Sequence, residues 1–351
     1  MKARTPPIRW ANDHIRIIDQ TLLPAEVKII EIRTAAQALD AIQRLAIRGA
    51  PALGAFGSFA LVVALDESQP NSLLEAINRL EECRTLIGDA RPTAVNLRWA
   101  VDRVIDAATN SANNLTALRN ALIREAQAIT AEDEAACNEI GRLGHELLRD
   151  ANVIGTHCNA GRLATAGTGT ALAPVYAKAE AGEPLRVFAS ETRPLLQGAR
   201  LTAWELDDAG IDVTVVPDGA MASTVLSGQV DAYIVGADRI AANGDAANKI
   251  GTVGHALAAR EADIPFYVAA PTSTIDIGLV SGDQIEIEQR DAIEVHEIRG
   301  NRLPPEGVAA SNPAFDVTPN HLITAIITEA GVLRAPFKDS ITEALSRVGS
   351  S

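Results

Sequence analysis

The chain has 351 residues and a net charge of −14; 47% of it is hydrophobic and only 3% aromatic. That is the length of two domains at roughly 100–200 residues each, with cores built mainly from Ala, Val, Leu and Ile. The acidic balance disfavours nucleic acid and anionic membranes as partners, and no apolar run in the sequence reaches the roughly 18–20 residues of a membrane span.

The opening, Met1 to Trp10, carries charges and two prolines but no apolar stretch, so it does not read as a secretory signal, and a cytoplasmic location is expected. Ile15–Leu22 reads as short β structure. From Ala35 to about Leu148 the pattern is helical, with apolar residues at helical spacing in Ala35–Leu45, Leu73–Leu86, Ala94–Ala107 and Leu115–Ala128. Gly49-Ala50-Pro51 and Arg91-Pro92 punctuate these segments. Residues 1–148 are therefore expected to form a small, mostly helical domain with a short β start.

The character changes near Ala151. Short β-rich runs, Asn152–Thr156, Leu185–Ala189, Asp212–Val216, Asp231–Val235 and Pro265–Ala269, alternate with helix candidates such as Gln197–Ala209 and Lys249–Glu261. That alternation predicts an α/β domain over residues 149–351, with a Rossmann-like parallel sheet and helices on both faces. Ligands of such sheets bind beyond the carboxyl ends of the strands, and the unusual residues of this chain stand there.

Gly155 to Arg162, then Leu163 to Thr170, read as the end of a strand and a loop rich in Gly, Ala and Thr that leads into a helix. Such a turn lets backbone N–H groups approach an anion, and a helix N-terminus would make the Cys158 thiol reactive; the same pattern also suits a buried cysteine in a tight turn. The three cysteines, Cys83, Cys137 and Cys158, are odd in number and widely spaced, which fits neither a disulfide framework nor a zinc site. In Val235-Gly236-Ala237-Asp238 an apolar run ends on a carboxylate. Apolar surroundings favour its neutral form and suit a general acid, although Asp238 also has a capping role or a pairing with Arg239 open to it. Lysine occurs five times against 26 arginines, so Lys249, read as opening an apolar helix after Asn248, stands out as a ligand for a phosphate or sugar oxygen. Ser190 to Pro194 and Gln197 to Arg200 gather amide, carboxylate and guanidinium groups. Arg48 and Arg91 each sit at a turn before an apolar helix, where they serve either as surface residues or as anion ligands. Residue chemistry thus reaches a polar, phosphate-suited cleft with one thiol and one acid, and not the reaction.

These segments resemble the methylthioribose-1-phosphate isomerase family over nearly the whole chain. The resemblance rests on Asp19 to Pro24, Arg48 to Ala52, Arg91 to Leu97, Thr156 to Asn159, Glu191 to Leu206, Gly236 to Ile240, Asn243 to Asp245, Asn248 to Thr252, Pro271 to Thr274 and Asn312 to Asp316. It implies an aldose–ketose isomerase of methionine salvage, with Cys158 and Asp238 as the catalytic pair. It implies substrate contacts from Arg48, Gly49, Ala50, Arg91, Gln197, Asn248 and Lys249, a homodimer, and no metal or organic cofactor. Related enzymes act on ribose 1,5-bisphosphate or 5-deoxyribose 1-phosphate, and related regulatory subunits of a guanine-nucleotide exchange factor are binding modules. The chain departs from the family pattern at Ala55 to Phe59, at Thr168 and at Arg162. The Arg162 guanidinium is expected either in the pocket, reading a polar 5-substituent or pairing with an acid at the rim, or in solvent.

Overall fold

A three-stranded antiparallel sheet, β1 (Ile8–Trp10), β2 (Ile15–Ile18) and β3 (Ile29–Ile32), leads into five helices: α1 (Ala35–Gln43), α2 (Ala50–Ser68), α3 (Leu73–Gly88), α4 (Val95–Ser111) and α5 (Leu115–Leu147). The computed structural model describes residues 6–91 and 93–348; Pro92 of the second arginine turn and residues 1–5 of the opening segment lie outside the described residues. Three of the helices start on side-chain caps, where Thr34, Ser72 and Asn114 accept from the N–H groups of Gln37, Glu75 and Ala117; each such cap satisfies a donor that the first helical turn leaves open.

Helix α2 is the axle of this half. It is buried on every side from Ala50 to Leu65 apart from Pro51, with α1, α3, α4 and α5 packed around it. A helix apolar all round has no amphipathic stripe, which is why the periodicity that marked its neighbours did not mark it. By length and composition Ala50–Ser68 would cross a bilayer, contrary to the expectation from apolar runs, but 83% of that window is buried inside the protein; it is placed as a core helix.

The second half runs β4 (Val153–Thr156), α6 (Leu172–Glu180), β5 (Arg186–Ser190), α7 (Ala203–Asp208), β6 (Asp212–Val216), α8 (Asp218–Leu226), β7 (Ala232–Val235), β8 (Arg239–Ala241), β9 (Ala246–Lys249), α9 (Thr252–Glu261), β10 (Phe266–Ala269) and β11 (Ile275–Asp276). It continues through α10 (Ile293–His296), β12 (Glu297–Ile298), β13 (Asn301–Arg302), β14 (Phe315–Thr318), β15 (Ala325–Thr328), β16 (Gly331–Leu333) and α11 (Phe337–Val348). The main sheet has the order β16-β15-β10-β7-β4-β5-β6, parallel except for β16. Side chains alternate between its faces as strand geometry requires. Ala232, Ile234, Tyr267, Ala325 and Ile327 share a core with α5 and α6, whereas Tyr233, Val235, Phe266, Val268 and Ile326 share one with α8, α9 and α11. The α/β class with a Rossmann-like sheet is therefore present, and its strand order reverses between β4 and β7.

After β4 the loop makes one 3₁₀ turn, Arg162–Ala164, and the helix it leads into begins at Leu172; Gly167 and Gly169, the latter with φ 107°, keep the stretch between them out of the helix. One local expectation is corrected: Lys249 does not open a helix. It ends β9, paired across to Phe315 on β14, and α9 starts beyond Gly251, whose φ of 104° breaks the strand from the helix.

Candidate active site

At the reversal point, the residues after β4 and after β7 face each other across a cleft. Its walls include Cys158, Asn159 and Ala160 from the first segment and Gly236, Ala237 and Asp238 from the second. Arg48, Gly49 and Ala50 enter from the start of α2, Arg91 from the turn before α4, Gln197 from the loop after β5, and Asn248 and Lys249 from the end of β9. All nine residues singled out in the sequence thus line one cavity, which encloses about 730 Å³ including space open to solvent. The remaining wall is largely apolar, with Leu45, Leu53, Ala94, Leu195 and Phe315.

Cys158 has φ 63°, a left-handed backbone that a non-glycine residue seldom takes. Its neighbours hold it there: its N–H donates to Thr192 Oγ1 at 2.9 Å, and its carbonyl accepts from Thr202 Oγ1 at 2.5 Å. Behind it lies a buried pair of imidazoles. His157 Nε2 meets the Ile250 carbonyl at 2.8 Å, and its Nδ1 lies 3.1 Å from His255 Nε2. Burial pushes His157 down to about 4 and His255 to about 3, so both rings are neutral near pH 7.

Asp238 has a carboxyl pushed above the usual range by burial, against the pull of Lys249, Arg48 and Arg91. Lys249 is buried, which pushes it below its usual range, while Cys158 and Asp238 oppose that shift. Its Nζ donates to the Ala314 carbonyl at 2.8 Å and lies 4.4 Å from the centre of the Phe315 ring. Asn248 donates to Thr252 Oγ1 at 3.0 Å. Arg48 is braced on Asn159, reaching its side-chain oxygen at 2.7 Å and its carbonyl at 2.5 Å. Gly49, with φ 95°, lets α2 start against the backbone of Ala164, where a Cβ would come within 2.5 Å of a carbonyl oxygen. Gln197 is a buried residue of the cleft wall, and its Oε1 has no hydrogen-bond partner, which leaves one acceptor unsatisfied. Among the described residues no group of three or more His, Cys, Asp and Glu side chains is arranged to hold a metal.

Other readings are redirected by the structure. Arg239 pairs with Asp276 at 3.4 Å, so Asp238 does not depend on it. Arg200 donates to the carbonyls of Gln20, Leu23 and Leu195, and Arg193 to those of Pro194 and Val295; these guanidinium groups tie backbone segments together instead of facing a ligand. Arg162 neither lines the cleft nor stands in solvent. It pairs with Asp208 at 2.8 Å, lies 5.2 Å from the Trp204 ring and is 11% exposed. Arg162→Ala is therefore expected to leave kinetics within about twofold on every pentose phosphate while lowering stability by about 1 kcal/mol. Steady-state assays and a thermal melt check both parts.

Several residues of this site escaped the sequence reading. Asn159, Thr192 and Thr202 act through contacts with residues far along the chain. Glu205, fully buried, accepts from the Leu163 N–H at 2.7 Å and from Tyr176 at 3.0 Å, fixing the loop that carries Arg162. Its only local signal is a carboxylate inside the apolar run Leu201 to Leu206.

An α/β sheet with polar residues gathered at its reversal point defines a class of small-molecule enzymes and binding proteins; the comparisons narrow it. The sequence profile described as the Initiation factor 2 subunit family matches residues 46–335, and the chain belongs to that family. It is 51% identical to a 5-deoxyribose 1-phosphate isomerase of Moorella thermoacetica, with 97% of each chain covered. It is 50% identical to a methylthioribose-1-phosphate isomerase of Desulforudis audaxviator, with 96% of each covered. The crystal structure of a 5-methylthioribose 1-phosphate isomerase from Pyrococcus horikoshii superposes with a TM-score of 0.89 at 40% identity, covering 98% of this chain and 96% of that one.

Proposed function

We propose that the chain is an aldose–ketose isomerase that converts 5-methylthioribose 1-phosphate to 5-methylthioribulose 1-phosphate, a step of methionine salvage, working as a cytoplasmic homodimer. The observation that carries this reading is the convergence of Cys158 and Asp238 from the carboxyl ends of β4 and β7 on one cleft with Arg48, Arg91, Gln197, Asn248 and Lys249. A pure binding scaffold has no need of a thiol placed together with a carboxyl that burial pushes upward. Arg91, Lys249 and the open N–H groups at the start of α2 supply the charge for the 1-phosphate. The phosphate blocks simple opening of the ring at C1. The ring oxygen therefore takes a proton as its bond to C1 breaks, and Asp238 gives it. The hydrogen on C2 then moves to C1 while the C2 hydroxyl loses its proton to become the ketone, which returns a proton to Asp238. Cys158 either relays the C2 hydrogen as a proton or stabilises charge during a direct hydride shift. The apolar walls exclude water and strengthen both effects.

A second substrate has a specific observation behind it. The relative from Moorella thermoacetica is named for 5-deoxyribose 1-phosphate, and the wall of Leu45, Leu53, Ala94, Leu195 and Phe315 suits an apolar 5-substituent of either size. Ribose 1,5-bisphosphate would set a second phosphate against that apolar wall, and Arg162, the extra cation the sequence offered for it, is held outside the cleft by Asp208 and Trp204. Measured kcat/KM values are expected to rank the methylthio sugar first, the 5-deoxy sugar second and the bisphosphate last. A tenfold preference for the bisphosphate, about 1.4 kcal/mol in transition-state binding, would overturn the substrate assignment. Protein inert on all three would favour the role of a binding subunit.

A further inference from the structure

We infer that Glu288, on the segment between β11 and α10, is a positioning residue that aims Arg91 into the cleft. The inference rests on the reading that the cleft takes a sugar phosphate, and it concerns how the cation at the phosphate end is held. Arg91 is buried, and its one ion pair among the described residues is with Glu288, Nε to Oε2 at 3.2 Å. The other oxygen of Glu288 accepts from Arg290 NH1 at 2.7 Å, and the Arg290 fork closes on Glu294. Arg290 also lines the cleft, with Nε and one N–H of each terminal nitrogen engaged by these two carboxylates. It buttresses Glu288.

The backbone around Glu288 ties the two sides of the cleft together. Thr93, beside Arg91, donates to the Glu286 carbonyl at 3.2 Å. The Glu288 carbonyl accepts from the Ala314 N–H at 2.9 Å, and the Ala314 carbonyl accepts from Lys249 Nζ at 2.8 Å. One segment thus sets Arg91 through a side chain and Lys249 through a neighbouring strand. A buried guanidinium without a partner would be costly and would swing to find one. Glu288 removes that freedom before a phosphate arrives, which lowers the ordering cost of binding. Its charge reaches further. The groups acting on Asp238 are Lys249, Arg48 and Arg91, which favour its ionised form, and Glu288, which favours the neutral one.

Two variants separate aim from charge. Glu288→Ala removes both, and is expected to raise KM by about tenfold or more and to weaken binding of inorganic phosphate, measured by calorimetry, by a similar factor. Glu288→Gln keeps an acceptor for Arg91 and is expected to restore most of that affinity, while the alkaline fall of kcat moves to lower pH because Asp238 loses a neighbouring negative charge. Glu286→Gln, exposed on the same segment, serves as the control and is expected to match the wild type. Phosphate affinity unchanged in Glu288→Ala, or wild-type protein with no phosphate binding, would overturn the inference. Should Glu288→Ala fail to fold, an unmoved alkaline limb in Glu288→Gln overturns it as well. Phosphate binding that depends on Glu288 in a protein inert on every sugar phosphate would instead overturn the proposed reaction and leave this inference standing.

Discussion

Asp238→Asn is expected to lower kcat by about 10²–10⁴-fold, or about 2.7–5.4 kcal/mol of barrier, with KM little changed. The amide keeps a hydrogen-bonding group of the same size but has no acidic proton to give the ring oxygen. The pH profile supplies a second signature. Burial holds the Asp238 carboxyl above its ordinary 3.8, so the acid stays loaded as pH rises past that value. Wild-type kcat then falls on the alkaline side of the raised value, and the residual activity of the Asn variant lacks that fall. Stability falls with pH as well. Between 3.8 and the raised value the folded state binds more protons than the unfolded one, so stability drops as pH rises through that window. The Asn variant escapes this cost, and its melting temperature at pH 7 is expected to exceed that of the wild type. A variant with normal kcat and raised KM would make Asp238 a binding residue only.

Cys158→Ser is expected to cost about 10²-fold or more in kcat without disturbing the fold. The hydroxyl is close in size to the thiol but a far weaker acid and a poorer stabiliser of passing charge. The backbone at this position is held by Thr192 and Thr202 through main-chain atoms, so its φ of 63° survives the exchange. Phosphate affinity is expected to stay at the wild-type level, which separates a chemical role from a binding role. Turnover close to normal would remove Cys158 from the mechanism. Running the wild-type reaction in deuterated water decides what the thiol does, since a product without solvent deuterium at C1 counts against a freely exchanging base.

The sequence by itself determined the α/β class, the helical character of the first half and the strands β4 to β7 and β10, because helical burial leaves a period and strands buried on both faces leave short apolar runs that survive in a linear string. It also determined which residues are chemically unusual: a thiol and a carboxylate each placed just after an apolar strand, and one lysine among very few. It could not mark α2, whose burial on all sides erases the period, nor keep Lys249 out of a helix, because its place in β9 depends on pairing with β14 far along the chain.

Only the tertiary structure decided which of the chemically suited groups share a cleft. Arg48 and Arg91 turn inward, whereas Arg193 and Arg200 are spent on backbone carbonyls and Arg162 on Asp208. All five look alike as arginines at turns. What separates them is the partner each finds across a long stretch of chain: Asn159 for Arg48 and Glu288 for Arg91. The upward push on Asp238 has the direction expected at the end of an apolar strand, but its setting among Lys249, Arg48, Arg91 and Glu288 was not legible. Charge acts through space at distances set by the fold, and the order of residues along the chain carries no record of those distances.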